Sequence, residues 1–467
     1  MTDSKQSLAV NATRDLAGFA ARLEFQDIPP EAVARAKQCV LDAIGCCLFG
    51  VTLPWTRLVQ GMVEKEGGNA IASIFGSGKK TAISLAVLVN STAGHAFELD
   101  DMHMGSSHHP GSIAIPVAIA FAEVAGAASG RDVLTAIVAG YEVGTRVGNA
   151  ATTSLFLRGF HPQGTHGAFV AAATAGRMLG LDPSQMQHAL GITGSQAGGL
   201  MAAQEGAMVK RFHSGRAAQS GVYSALLAQQ GFTGIGDVLE APYGGYLSTF
   251  SDKPEPQRLT AGLGTTWELL KVGFKPHATV TSIHTALDAL AAIMREHRLK
   301  PDDISRVSVG ITRMTHIHCA WEYKEQGVTA AQMNLAFGMA VVAIDGMAFV
   351  DQYSEDRIRD PKILDFVRRV DAYVDAELEA MDAAFRHGAR VTVHTVDGRT
   401  LKTEILRRRG SAEVPLDSAD IEYKFRNIVK SCLPPQAIDK IIGLVAAMDE
   451  LDSVAELIDI LAAPART

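Results

Sequence analysis

Lys210 is the first residue whose surroundings suggest chemistry. Residues 199–219, GLMAAQEGAMVKRFHSGRAAQ, set it close to His213 and Arg216 within a run of Gly, Ala and Ser. Side chains that small cannot cover a charge, so a cation among them belongs to a site or to a surface. The apolar, Gly-rich flanks at 192–201 and 221–227 point to the interior, and the expected ligand is an anion.

Further clusters offer titratable groups. Residues 95–110, HAFELDDMHMGSSHHP, gather Glu98, Asp100, Asp101, His103, His108 and His109 at a helix end and its loop. Carboxylates beside imidazoles bind a metal, act as general acid and base, or cap a helix. No HExxH-type spacing supports a metal, so no metal ligand is assigned. Residues 160–167, FHPQGTHG, place His161 and His166 in a Pro/Gly turn before a helix whose N-terminus suits an anion. The plain alternative there is a satisfied structural histidine. Lys275, Pro276, His277 and His284 lie where a helical pattern gives way to a mixed one, and His316, His318 and Cys319 precede Tyr323 and Lys324. Pockets form preferentially between domains, which makes His277 and Tyr323 candidates to close a site over Lys210. A strand-end loop is the alternative for the 316–324 cluster. There is no Walker A loop, no Gly-rich turn after a strand and no Ser-centred elbow.

The elements that must position these groups are mostly helices. Through residue 265 apolar positions recur at three and four with almost no strand-like alternation. Pro29-Pro30 opens a helix to about Phe49, 81–99 reads as a second, 111–148 as one or two broken near Gly130, and Asp182-Pro183 as a capped start of another that ends at Gly191. Dense small residues, as in 164–180, let helices approach closely. Composition changes near Gly264. A helix at 282–296 precedes a strand at 304–314, helices are expected at 329–345 and about 355–370, and 390–396 with 400–406 flank Asp397-Gly398, a hairpin signal. Pro434-Pro435 restarts a helical pattern to Leu461 that returns to the first domain.

At 467 residues the chain exceeds what one core usually supports, so two domains are expected. Hydrophobic residues at 47% and charged residues at 20% fit a soluble globular protein, and a net charge of −7 argues against nucleic acid as a partner. The first twenty residues read as the start of an amphipathic helix rather than a signal peptide, and the longest apolar run, 113–128, is interrupted by Pro116 and Glu123 and too short for a bilayer. A cytoplasmic protein without a membrane partner is expected. Five cysteines without paired spacing read as reduced core residues.

Taken together, HAFELDD with a downstream HPGS, GYEVGTRVG, GFHPQGTHGAF, GSQAGGLMAAQEGAMVKRFHSGRAAQ, GFTGI and KPHATVTSIHTALDA resemble the MmgE/PrpD family over nearly the whole chain. That family includes 2-methylcitrate dehydratase, cis-aconitate decarboxylase and iminodisuccinate epimerase, and MVKR, VLEAPYGGYLSTF, HCAW and AAQMN are most similar to the decarboxylase branch. The resemblance implies a mainly α homodimer without a cofactor. A large helical domain would comprise 1–265 and 411–467, and 266–410 would form a smaller α+β lid. It places the family's acidic motif on Glu98, Asp100 and Asp101, with Glu98 where many members have Asp. The loop histidine falls on His109, with His108 as the alternative, the turn histidine on His161 and the site lysine on Lys210. In the lid the pattern falls on 275–284, where Val280 replaces a histidine of some decarboxylases and His277 is displaced from it.

The chemistry so implied is a lyase, decarboxylase or dehydratase, acting beside a carboxylate of a small di- or tricarboxylate such as cis-aconitate or 2-methylcitrate. Lys210 and Arg216 would hold carboxylates, His109 and His161 would move the proton, and Asp101 or Glu98 would orient an imidazole. His103, His108, His213, His277 and Tyr323 complete the expected substrate contacts. An epimerase using the same site and a non-catalytic polyanion-binding protein are the alternatives. A histidine base predicts a loss of activity on the acid side near the ordinary imidazole value of about 6.5.

Overall fold

The structure, a computed structural model, describes residues 11–126 and 128–466. Its centre is the Val209–Gln229 helix, which has no apolar stripe and is nevertheless buried on most sides. Small residues make this possible. A β-carbon on Gly215 would collide with the Leu88 carbonyl, and one on Gly221 with Ala171 and the Ala168 carbonyl. The helices Ile83–Gly94 and Pro162–Met178 therefore lie directly on its backbone. Around them pack Pro30–Gly50, Gly111–Ala125, Gly130–Leu157 and Pro183–Gly194, the last capped by Asp182, which accepts from the backbone N–H groups of Ser184 and Gln185. All five cysteines are free and buried. No single helix among the described residues is long and apolar enough to cross a membrane.

Several boundaries differ from the sequence reading. The helix expected at 81–99 spans only Ile83–Gly94. The chain leaves it at His95, so Glu98, Asp100 and Asp101 sit in a buried loop rather than on a helix end. That loop is pinned where Met102–His103 pairs antiparallel with Val272–Gly273. Ala72–Ile74 and Lys79–Thr81 form a hairpin inside the segment read as helical, because three-residue strands are too short to show alternation. Gly130–Leu157 runs past the expected end and is broken at Thr152, whose φ of 59° is outside the helical range.

The main sheet has four strands in the order Val370–Val374, Ile304–Ile311, Ala389–Thr395 and Thr400–Ile405. The first pair is parallel and the others antiparallel, with the hairpin at Asp397-Gly398 as expected. The expected strand stops at Ile311 because the Thr312 hydroxyl accepts from the Thr315 N–H and starts a helix, Arg313–Cys319. His316 and His318 are thus helical and not in a strand-end loop. Asn334 splits the expected 329–345 helix into Val328–Met333 and Leu335–Asp345 by capping the Phe337 N–H. The strand Val370–Val374 begins where a helix end was expected, since the helix closes at Val367. The C-terminal helices Ser418–Val429 and Pro435–Ala446 pack on Pro30–Gly50, and Ala455–Ala462 packs on Gly111–Ala125.

Candidate active site

Glu98 is 2% exposed and has a positive φ of 55°, a conformation that costs a non-glycine residue energy and clusters at functional sites. The loop around it is over-determined. Gln332 donates to the carbonyls of Phe97 (2.8 Å) and Ala278 (3.0 Å). Lys424, from the C-terminal helix, donates to the Leu99 carbonyl at 2.5 Å while pairing with Asp42 at 2.6 Å. So held, the Glu98 carboxylate receives three cations: Lys210, Arg211 at 2.6 Å and Lys275 at 2.9 Å. Burial alone would raise its pKa, but Lys210, Lys275 and Arg211 outweigh that and hold it well below the carboxylate range. Burial in turn pulls Lys210 down to about 8 despite Glu98.

Asp100 anchors His95 and sets a negative charge beside His109. Its Oδ2 lies 2.7 Å from His95 Nδ1 and its Oδ1 3.6 Å from His109 Nδ1. His109 Nδ1 donates to the Asp101 carbonyl at 2.6 Å. A carbonyl can only accept, so the neutral ring carries its proton on Nδ1 and presents Nε2 as a base. Burial pushes His109 down to about 3, against the pull of Asp100. His161 caps the Pro162–Met178 helix, with its Nδ1 2.8 Å from His213 Nδ1, one ring donating and the other accepting. Burial holds His161 well below, and His213 near 4. His95 joins the two pairs, its ring centre 5.0 Å from that of His109 and 5.9 Å from that of His161.

Glu98, His109, His161, Lys210 and Lys275 line one cavity. His318, which lies 2.7 Å from Gln204, and Met333, Arg386 and His387 line the same cavity. A larger apolar cleft between Pro30–Gly50 and the C-terminal helices has no such convergence of charged groups.

Other expected contacts lie elsewhere. Arg216 is exposed and donates to Gln219, while Arg211 pairs with Glu98 behind the cavity wall. Asp101 turns away from the imidazoles. Its carboxyl accepts from Tyr141 (2.6 Å) and from the Gly111 N–H (3.0 Å), at the start of the Gly111–Ala125 helix, and burial lifts its pKa to about 8. The orienting expected of the Asp101 or Glu98 side chain comes instead from the Asp101 carbonyl for His109 and from the Asp100 carboxylate for His95. His103 sits between Ser106 (2.7 Å) and Glu268 (3.1 Å), and His108 bonds to Ser106 at 2.8 Å against the His166 ring; neither lines the cavity. His277 pairs with Asp288 at 2.9 Å, and the Tyr323 hydroxyl donates to the Ile358 carbonyl, both outside the cavity wall. His213 is reached only through His161.

Sequence reasoning left Arg211 and Arg386 without a role. Arg211 adjoins Lys210 and was overshadowed by it, whereas no local pattern marks Arg386. As for metals, one ligand atom from each of His95, Asp100 and His109 lies within 4.8 Å of the others. Two of the nitrogens are already committed, His95 Nδ1 to Asp100 and His109 Nδ1 to the Asp101 carbonyl, which leaves the Nε2 atoms and Asp100 Oδ1 as the available ligands.

Residues 14–258 match the MmgE/PrpD N-terminal domain and residues 277–450 the MmgE/PrpD C-terminal domain. The chain is 32% identical over 489 residues to a cis-aconitate decarboxylase of Aspergillus terreus, covering 99% of each chain. It is 30% identical over 481 residues to a cis-aconitate decarboxylase-like protein, oryM, of Aspergillus oryzae, again covering 99% of each. A human cis-aconitate decarboxylase is 26% identical over 455 residues, covering 95% of this chain and 92% of the human one.

Proposed function

This chain is a member of the MmgE/PrpD family, and from that membership we propose that it is a lyase that removes CO2 from cis-aconitate. The observation that carries the reading is the convergence of Lys210, Arg211 and Lys275 on Glu98 in a cavity that also contains His109 and His161. Full-length similarity to proteins named for that decarboxylation supports the choice of substrate.

Cis-aconitate is a trianion when fully ionised. Breaking the bond to the carboxylate on its methylene arm releases CO2 and leaves the electron pair on that carbon. The pair delocalises through the double bond to the carbon beside the far carboxylate. Lys210 and Lys275, which line the cavity, hold carboxylates and stabilise this enolate-like charge, with Arg211 adding its charge from behind Glu98. An imidazole then protonates the far carbon, giving itaconate with its double bond at the chain end.

His109 suits that step, because its Nδ1 is committed and its Nε2 is free to take up and give a proton. Three cations against Glu98 and Asp100 leave one net positive charge (3 − 2), and a trianion reverses its sign. A neighbouring negative charge raises an imidazole's proton affinity, so the proton enters with the substrate. The balance is cis-aconitate trianion plus one proton to itaconate dianion plus CO2. The chemistry asks for no cofactor, since the charge develops next to fixed cations. Residues 266–410, which bring Lys275 and His318, act as the lid of a homodimer in this reading.

Proton NMR in D2O with cis-aconitate, 2-methylcitrate and citrate in separate tubes tests it, with Lys210→Ala alongside. A vinyl product from cis-aconitate, absent with Lys210→Ala, is the expected result. Turnover of 2-methylcitrate alone would make the protein a dehydratase. Deuterium exchange without a new product would point to an epimerase, and silence with every acid to a binding protein.

A further inference from the structure

Behind the Arg386–His387 wall of the active cavity lies a second cavity of about 230 Å³. Arg386, Arg407, Arg408 and Ser411 line it, with Glu413 as its one carboxylate among the described lining residues. Arg408 is 4% exposed, yet its Nε and Nη2 have no hydrogen-bond partner among the described residues, and its Nη1 reaches only the Phe274 carbonyl at 3.3 Å. His387 Nδ1 is likewise buried and unpartnered. His387 Nε2 accepts from Arg386 Nε at 3.3 Å, so the neutral ring carries its proton on the orphan Nδ1. Buried guanidinium donors are costly to leave unpaired, and a forked guanidinium matches an oxyanion. The charge of Glu413 acts on Arg408 as well, but Glu413 is half exposed, pairs with Arg407 at 3.5 Å and gives the buried Arg408 Nε and Nη2 no hydrogen bond.

We propose that this cavity is a second anion site, which binds a carboxylate or phosphate group on Arg408 with Arg386 and Arg407 beside it. Sharing Arg386 and His387 with the active cavity makes it an antechamber, where an anion waits one wall away from the reaction. The site stands whether or not the reaction is decarboxylation. The plain rival is Asp288, whose buried Oδ2 also lacks a partner and whose charge acts on Arg408; a water between them would satisfy both.

Calorimetric titration of the full-length Lys210→Ala protein, whose active site has lost one of its three cations, tests the proposal with inorganic phosphate and citrate as separate probes. Saturable binding of one or both is expected, and the probe that binds identifies the group the site prefers. Arg408→Gln in that background should weaken it about tenfold or more, as loss of a buried charged partner does. Arg407→Gln, at the cavity mouth and free of the core, should weaken it too. No binding, or equal affinity in both variants, overturns the anion site and leaves the water bridge to Asp288.

Discussion

At the scale of single residues, burial sets the protonation states, and this moves the pH profile away from the simple histidine expectation. His109 near 3 and His161 well below its ordinary value are neutral across the working range. With these rings neutral in the free enzyme and the proton entering with the substrate, kcat/KM should show no imidazole acid limb near about 6.5 once the substrate's own ionisation is divided out. Lys210 carries its charge only below about 8, so substrate binding should fall as pH rises through that value. A profile measured from about pH 5 to about 9 checks both expectations, and an acid limb at the free-imidazole value would contradict the first. Glu98→Gln removes the carboxylate that raises Lys210, and should shift the alkaline limb further down. Asp100→Asn should cut kcat by about 100-fold or more with little change in KM, because His95 loses its carboxylate partner and His109 the negative charge beside it. Activity should survive a chelator; a loss that zinc restores would instead assign His95, Asp100 and His109 as ligands. These states were not readable from residue types, since spacing identifies a histidine but not how deeply it is buried.

At the scale of elements, the Val209–Gln229 helix explains which of two arginines matters. Six residues at 3.6 per turn put Arg216 about 120° to one side of Lys210 and Arg211 about 100° to the other, and it is the Arg211 side that meets the acidic loop. Arg216→Ala should leave kcat/KM within about twofold, while Arg211→Met should reduce it by about 100-fold, both by steady-state kinetics. Lys424 links the Ser418–Val429 helix to the acidic loop. Lys424→Met should cost about 3 kcal/mol in denaturant unfolding by leaving Asp42 buried without its partner. Adding Asp42→Asn should recover part of that loss. Helices with long periodic patterns and Pro or Asp starts were legible in the sequence, as was the Asp397-Gly398 hairpin. Strands of two or three residues were not, because pairing with distant residues such as Val272 defines Met102–His103 as a strand. The site was legible as a set of motifs, with Glu98, His109, His161 and Lys210 meeting in one cavity. The placement of His103, His108, His277 and Tyr323 depended on packing between segments far apart in sequence, and local pattern carries no record of that.

At the scale of the molecule, a chain with a net charge of −7 keeps a group of cations inside. Lys210, Arg211 and Lys275 are never bare, since Glu98 neutralises part of their charge when no substrate is present. The site thus works as an ion exchanger with one resident counter-ion. An incoming carboxylate replaces or shares the place of one already there, so the net electrostatic gain is the difference between two similar pairings. On the proposed reaction, affinity for a triply charged substrate would be moderated in this way, and a doubly charged product would meet a competitor that is tethered and does not diffuse away. Turnover would gain from that arrangement, because Glu98 would restore the starting site as soon as the product leaves.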